Sequence, residues 1–437
     1  MKAQRGFVAL LMIVLIAVGV FGVMAAWVAS DPPPSKQAIN RVVLGQAKEA
    51  LLAYVVETAL SSKNTRLPCP NITGDGKADV DPIPGGTAKP CGLAGNTQLG
   101  LLPWNALSLP PLRDAYGECL WYAVDGQFKN APASETTTGV NADTDGGITI
   151  KDEAGHILAD KVVAVVFARS AQTGLQSHGT STSGAPPCAT SPTEDAAQDA
   201  AGYLGSSNAA PATNAITLVN FSSATELAPD KASLTHQLIW ITAEEFAAVA
   251  MRANSEALKT ALNSLSSTTK GRLPLAANTP GGGCMAGQYS GFFPLYCHYP
   301  DPDPGAPVGS MLSFDLSGPL KTDEWHKLAF YAVAPGCAFD MPVATTASTC
   351  LPGTLLSAAS LPVSGVILAR GRALSGQDCS KTLLFDAVLK LECIEAGVNG
   401  TDNGIELVTN PKVSTQTRKL ITPDKQPQSN DVLKELK

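Results

Sequence analysis

The chain has 437 residues, 16% of them charged, with a formal net charge of −7. This sparse acidic balance excludes nucleic-acid binding, which needs a basic face, while the length suffices for two ordinary domains with full cores. The 39 Gly and 32 Pro imply long loops, a composition that suits an exported protein.

The first element is apolar. Phe7 to Trp27 is a run of 21 residues without a charge, preceded by Lys2 and Arg5 and followed first by Asp31. At about 1.5 Å per helical residue it spans roughly 30 Å, the thickness of a bilayer core. It reads as a single-pass transmembrane helix, with the N-terminus cytoplasmic and everything after Trp27 carried across. A cleaved secretory signal competes with this reading: Ala25, Ala26 and Ala29 imitate its cleavage site, although the apolar run is longer than such signals carry.

Pro32, Pro33 and Pro34 must break the helix within residues 28–34. Residues 35–62 then read as an amphipathic helix capped by Ser35, with a stripe of Ile39, Val42, Val43, Ala47, Leu51, Leu52, Val55 and Val56. The prolines around Cys69 end it. A second long helix spans 242–267, where Thr242 and Glu245 form a capping box.

The layout occurs twice. Residues 49–68 match 256–274 with one gap, and DAYGECLWYAV (114–124) lies on DEWHKLAFYAV (323–333) without one. VVAVVFARSAQTGLQ (162–176) lies on VSGVILARGRALSGQ (363–377), and LIWIT (238–242) on IELVT (405–409). Each repeat therefore reads as a helix followed by loops and strands. The strand candidates are CLWYAV, KVVAVVFA, NAITLVNF and HQLIWIT in the first, and LAFYAV, VSGVILA, LLFDAVLKL and GIELVT in the second. A helix covering a mostly antiparallel sheet is an α+β arrangement.

Ten cysteines in an exported chain read as disulfides. Sequence proximity suggests Cys69–Cys91, Cys284–Cys297, Cys337–Cys350 and Cys379–Cys393, leaving Cys119 with Cys188. No CxxC or Cys/His cluster has zinc spacing.

Chemistry is thin. The only histidines are His156, His178, His236, His298 and His326. The stretch 177–186 (SHGTSTSGAP) imitates protease motifs, but ten consecutive loop residues cannot assemble a triad in space. No nucleophile elbow, P-loop or dinucleotide fingerprint is present, so no enzyme activity is expected. Asn71, Thr73, Asp75, Asp79 and Asp81, with Gly76, imitate the start of a calcium loop, but Pro82 stands where the closing Glu belongs. The alternative is a turn tightened by a disulfide. Trp104, Tyr116, Trp121, Tyr122, Trp240 and Trp325 are expected in the core or between the lobes rather than as a ligand platform. Arg169 and Arg370 are expected to pair with Asp114 and Asp323.

The junction Gln4-Arg5-Gly6-Phe7, a short basic leader ending in Gly before the apolar run, resembles the class III signal of type IV prepilins and pseudopilins. The resemblance implies cleavage between Gly6 and Phe7 by a prepilin peptidase, and N-methylation of Phe7. Leu11 departs from the family, which usually carries Glu at the fifth mature position, where it meets a neighbour's amine. Its loss is associated with minor or tip subunits. Gln46–Leu51, Leu67–Asn71, Leu102–Trp104, Leu112–Asp114, Leu120–Val124 and Gly376-Gln377 also resemble motifs of large prepilin-like proteins.

The implied fold is α+β: an N-terminal transmembrane helix followed by two tandem pilin-like lobes, each a helix packed on a mostly antiparallel sheet. The implied segments are a leader (1–6), the membrane helix (7–27), the Pro-rich break (28–34), the lobes (35–250 and 251–422) and a polar tail (423–437). The implied function is a minor pilin or pseudopilin-like subunit of a type IV pilus or type II secretion-type filament at the bacterial inner membrane, with other subunits as partners. Some pseudopilins bind calcium, so calcium is the one cofactor the resemblance admits. The alternative is a periplasmic binding protein or enzyme on an uncleaved signal anchor. An adhesin at the filament tip is compatible with the first reading.

Overall fold

The computed structural model describes residues 35–61, 65–71, 76–78, 91, 95–130, 139–152, 154–168, 188, 216–219, 237–340, 355–356, 364–369, 382–385, 388–391, 418–419 and 432–436. Helix α1 (Lys36–Leu60) is capped by Ser35, whose Oγ accepts the Ala38 N–H at 3.2 Å. Its inward face is Asn40, Leu44, Ala47, Leu51, Val55 and Thr58, the three-to-four spacing of a helix packed on one side. Asn40 is inside because its Oδ1 accepts the Ala115 N–H at 2.7 Å. Ile39 and Val42, expected in the stripe, therefore face outward, at 36% and 61% exposure.

The first sheet contains β1 (Gly95–Leu101), β2 (Trp121–Gly126), β3 (Ile148–Lys151), β4 (Ile157–Ala168), β5 (Ile216–Val219) and β6 (Gln237–Thr242). Their order is β1-β2-β4-β3-β5, with β6 also on β4, and β3 runs parallel to β5. Both faces are covered. Tyr122 and Val124 point toward α1, while Trp121 and Ala123 join Leu99, Ile148, Val165 and Phe167 in a cluster on the far face.

Helix α2 (Ala243–Thr268) follows β6 directly and begins with the expected capping box of Thr242 and Glu245. The second sheet contains β7 (Ser290–Phe292), β10 (Ala329–Val333), β12 (Gly365–Ala369) and β16 (Val432–Leu436), in the order β16-β12-β10-β7. A separate hairpin joins β8 (Tyr296–Pro300) to β9 (Met311–Asp315). The short helix α3 (Pro319–Thr322) and a 3-10 turn, Trp325–Leu328, lead into β10. β11 (Leu355–Leu356) pairs in parallel with β15 (Arg418–Lys419), and β13 (Thr382–Phe385) pairs antiparallel with β14 (Val388–Leu391).

The repeat seen in the sequence reappears as strand register. Tyr122 lies opposite Val166 and Gly100, and Tyr331 opposite Ile367 and Gly291. Tyr122 donates its hydroxyl to the Pro68 carbonyl at 3.2 Å, and Tyr331 donates to the Pro274 carbonyl at 3.0 Å. Burial raises both phenols well above their ordinary range, so each remains a donor. The fourth strand breaks the sequence match. β6 lies on β4, but the equivalent place on β12 is held by β16; residues 405–409, which the sequence assigns to it, lie outside the described residues. Two features hold β16 there: Lys434 pairs with Glu256 of α2 at 2.8 Å, and Leu436 is buried where Gly365 leaves room.

The expected fold class needs correction. The protein is mixed α/β, with three α-helices among the described residues and two strand pairs that run parallel. Among the described residues no helix is long and apolar enough to cross a membrane. Both long helices carry charges, including Arg41, Lys48, Glu49 and Glu57 in α1 and Glu244, Arg252, Glu256 and Lys259 in α2. Residues 7–27, where the membrane helix is expected, lie outside the described residues. The two repeats also do not form separately cored lobes. One cluster of buried side chains runs from Leu44 to Leu436, because α1 packs on α2 and α2 packs on strands of both sheets.

Candidate functional site

The expected processing site, Gly6 and Phe7, lies outside the described residues. So do Thr73, Asp75, Asp79 and Asp81 of the calcium-loop candidate. Asn71 is fully buried and exchanges both backbone hydrogen bonds with Leu101 at 2.9 Å, a sheet-edge role. Gly76 adopts φ +77°, and its backbone lies against the Trp104 ring so closely that a Cβ would come within 2.3 Å of it. Among the described residues no group of three or more His, Cys, Asp or Glu could hold a metal ion.

The remaining candidates are distributed as packing residues. Trp121, Tyr122 and Trp325 are buried, Trp104 and Trp240 are half-buried, and Tyr116 is exposed beneath the Lys36 ammonium. His156 pairs with Asp152 at 2.9 Å and His298 with Asp315 at 3.3 Å, both on the surface. His178, His236, Arg169 and Arg370 lie outside the described residues. Three disulfides join Cys69 to Cys91, Cys119 to Cys188 and Cys284 to Cys297. Cys337 is also disulfide-bonded, and Cys350, Cys379 and Cys393 lie outside the described residues.

Asp323 takes a partner that sequence matching does not suggest. Its Oδ1 lies 3.3 Å from Arg66 Nη2, with both side chains 6% exposed. Arg66 Nη1 donates to the Gln127 carbonyl at 2.9 Å, and Asp323 also accepts the Val140 and Thr65 N–H groups. This buried pair joins the repeats, as does the Thr65–Asn254 hydrogen bond at 3.2 Å. The corresponding Arg272 stays within its own repeat, on Asp301 at 3.0 Å. Asp114 caps a local turn, accepting the Tyr116 and Glu118 N–H groups at 2.8 and 2.9 Å.

The outward face of α1 is the most distinctive surface. Ile39, Val42, Gln46, Glu49, Ala53 and Leu60 are exposed along it. Lys48 anchors the opposite side to Glu245 of α2 at 2.5 Å. Gly45 sits in mid-helix, and a Cβ added there would meet nothing within 4 Å. A glycine in a helix interior costs about 1 kcal/mol relative to alanine, and the isolated protein gains no packing from it. Gly45→Ala is therefore expected to raise stability in urea by about 1 kcal/mol; a loss would show that the glycine serves the chain's own fold. Sequence reasoning passed over Gly45, although a glycine within a helical stripe is itself the signal.

In comparisons with known proteins, the chain matches no family model, no curated protein and no solved structure.

Proposed function

We propose that the protein is a minor subunit of a type IV pilus or type II secretion-type filament, made as a precursor and held at the bacterial inner membrane by its apolar segment 7–27. The observation that carries this reading is the junction Arg5-Gly6-Phe7 set directly against a run of 21 uncharged residues. In this reading a prepilin peptidase cuts after Gly6 and methylates Phe7, and the apolar segment then exchanges lipid neighbours for those of other subunits. The disulfides support it, since such bonds persist in oxidising compartments outside the cytoplasm. The exposed face of α1 supports it too, because Ile39, Val42 and the bare Gly45 leave room for a neighbouring helix.

The test is mass spectrometry of the N-terminus of native protein, from cells with and without the prepilin peptidase. A methylated Phe7 that disappears with the peptidase is the expected result. An intact Met1 in both strains would instead support a periplasmic binding protein on a signal anchor, and a cut near Ala29 would refute both.

A further inference from the structure

We propose that residues 319–328, which comprise α3 and the following 3-10 turn, form an acid-opened clasp between the two repeats, with His326 as its trigger. The ring is 2% exposed. Its Nδ1 lies 2.8 Å from the Leu320 carbonyl, so Nδ1 carries the proton and donates it there, closing the segment on itself. This leaves Nε2 as a buried acceptor with no hydrogen-bond partner among the described residues. It faces Gly281, whose φ is +73° and whose added Cβ would stand 3.6 Å from it. A second proton on the ring would have to sit on Nε2, as a charge in a dry place with no acceptor.

The surroundings resist that charge. Burial is the main cause that lowers the His326 pKa; the Leu320 carbonyl opposes it, Lys327 reinforces it, Glu324 opposes it, and Lys321 reinforces it. Residues 278–283, β7 and β10 bring no charged side chain against the ring. α2 packs on the segment and carries Arg252, Glu256 and Lys259, with Glu256 engaged by Lys434 and Lys259. The same segment carries Asp323, the partner of Arg66 in the other repeat. Releasing the segment therefore releases a tie between the repeats.

The sign follows from linkage. A histidine whose pKa is lower when packed than when released favours the packed form above about pH 6.5, and progressively less as pH falls below that. Asp323 acts in the opposite sense: burial, its largest influence, raises its carboxyl pKa despite Arg66, so at lower pH it favours the packed form. Opening is thus confined to mild acidity, as a local release that precedes global unfolding. It requires nothing from the filament reading.

Hydrogen exchange of the intact protein, corrected for intrinsic rates and compared at pH 7.5 and 5.5, tests this. Peptides covering 319–328 should lose protection severalfold at pH 5.5, with about tenfold as the ceiling for one histidine, while α2 peptides keep theirs, and His326→Asn, which retains a donor for the Leu320 carbonyl, should abolish that difference. Because the variant could fail to fold, NMR titration of the wild-type imidazoles provides a second measurement. His326 should titrate below the ordinary imidazole value of about 6.5, with protection already falling before its midpoint is reached. Unchanged protection of 319–328, or a His326 midpoint at or above the ordinary imidazole value of about 6.5, would overturn the proposal.

Discussion

Replacing Arg66 with alanine is expected to destabilise the protein by about 3–5 kcal/mol, the usual consequence of removing one partner from a buried ion pair. The large cost does not arise from strong attraction. Burial alone pushes the Asp323 carboxyl up, and Arg66 only partly offsets it. Without the guanidinium, the carboxylate is left in a dry joint with the Val140 and Thr65 N–H groups as its remaining support. The Gln127 carbonyl also loses its donor. Two controls give the prediction its shape. Arg66→Met combined with Asp323→Leu should recover most of the loss, because it removes both charges and retains volume. The deficit of Arg66→Ala should also shrink as pH falls from 7.5 to 5, since a carboxyl with a raised folded-state pKa gains stability by taking up its proton. Urea midpoints at the two pH values measure both effects. A deficit below about 1 kcal/mol at pH 7.5 would show that the pair is hydrated like a surface bridge.

The second large effect concerns the disulfides, and the expected result is a ranking. Cys119–Cys188 spans 69 residues, Cys69–Cys91 spans 22 and Cys284–Cys297 spans 13. If the bonds act mainly by restricting the unfolded chain, their contributions scale with the logarithm of loop length, giving about 4.4, 3.4 and 3 kcal/mol respectively. Paired Cys→Ala variants, compared by urea unfolding, should lose stability in that order. Cys69, Cys91 and Cys297 are fully buried, whereas Cys188 is 8% exposed, so packing losses work against the ranking. If Cys284–Cys297 proved the most costly to remove, native packing rather than loop entropy would be the source of stabilisation.

The sequence shows some of this architecture and conceals the rest for identifiable reasons. The start of α2 is legible because a capping box is local chemistry: Thr242 and Glu245 need only each other's backbone. The face of α1 is not, because reading apolar as buried puts Ile39 and Val42 inside, whereas Asn40 goes inside to meet Ala115, 75 residues away. β1 (GNTQLGL) is rich in residues that mark turns, and it forms a strand only because β2 provides the partner. The link from Arg66 to Asp323 crosses 257 residues, beyond any local rule. Likewise, IELVT is the better sequence match to LIWIT, yet the strand on β12 is the one whose lysine meets Glu256. Of the candidate surface, Gly45 could be read directly, but its outward orientation could not.

Helix α2 lies across strands from both repeats, and the boundary that the sequence suggests, between 250 and 251, falls within it. Severing the backbone there would leave two unequal pieces, each with an oily flank open to water. Produced separately, they should precipitate; produced together, they should find one another, as the parts of a split reporter do. Any dissection of this molecule by fragment would therefore do better to keep residues 243–268 whole.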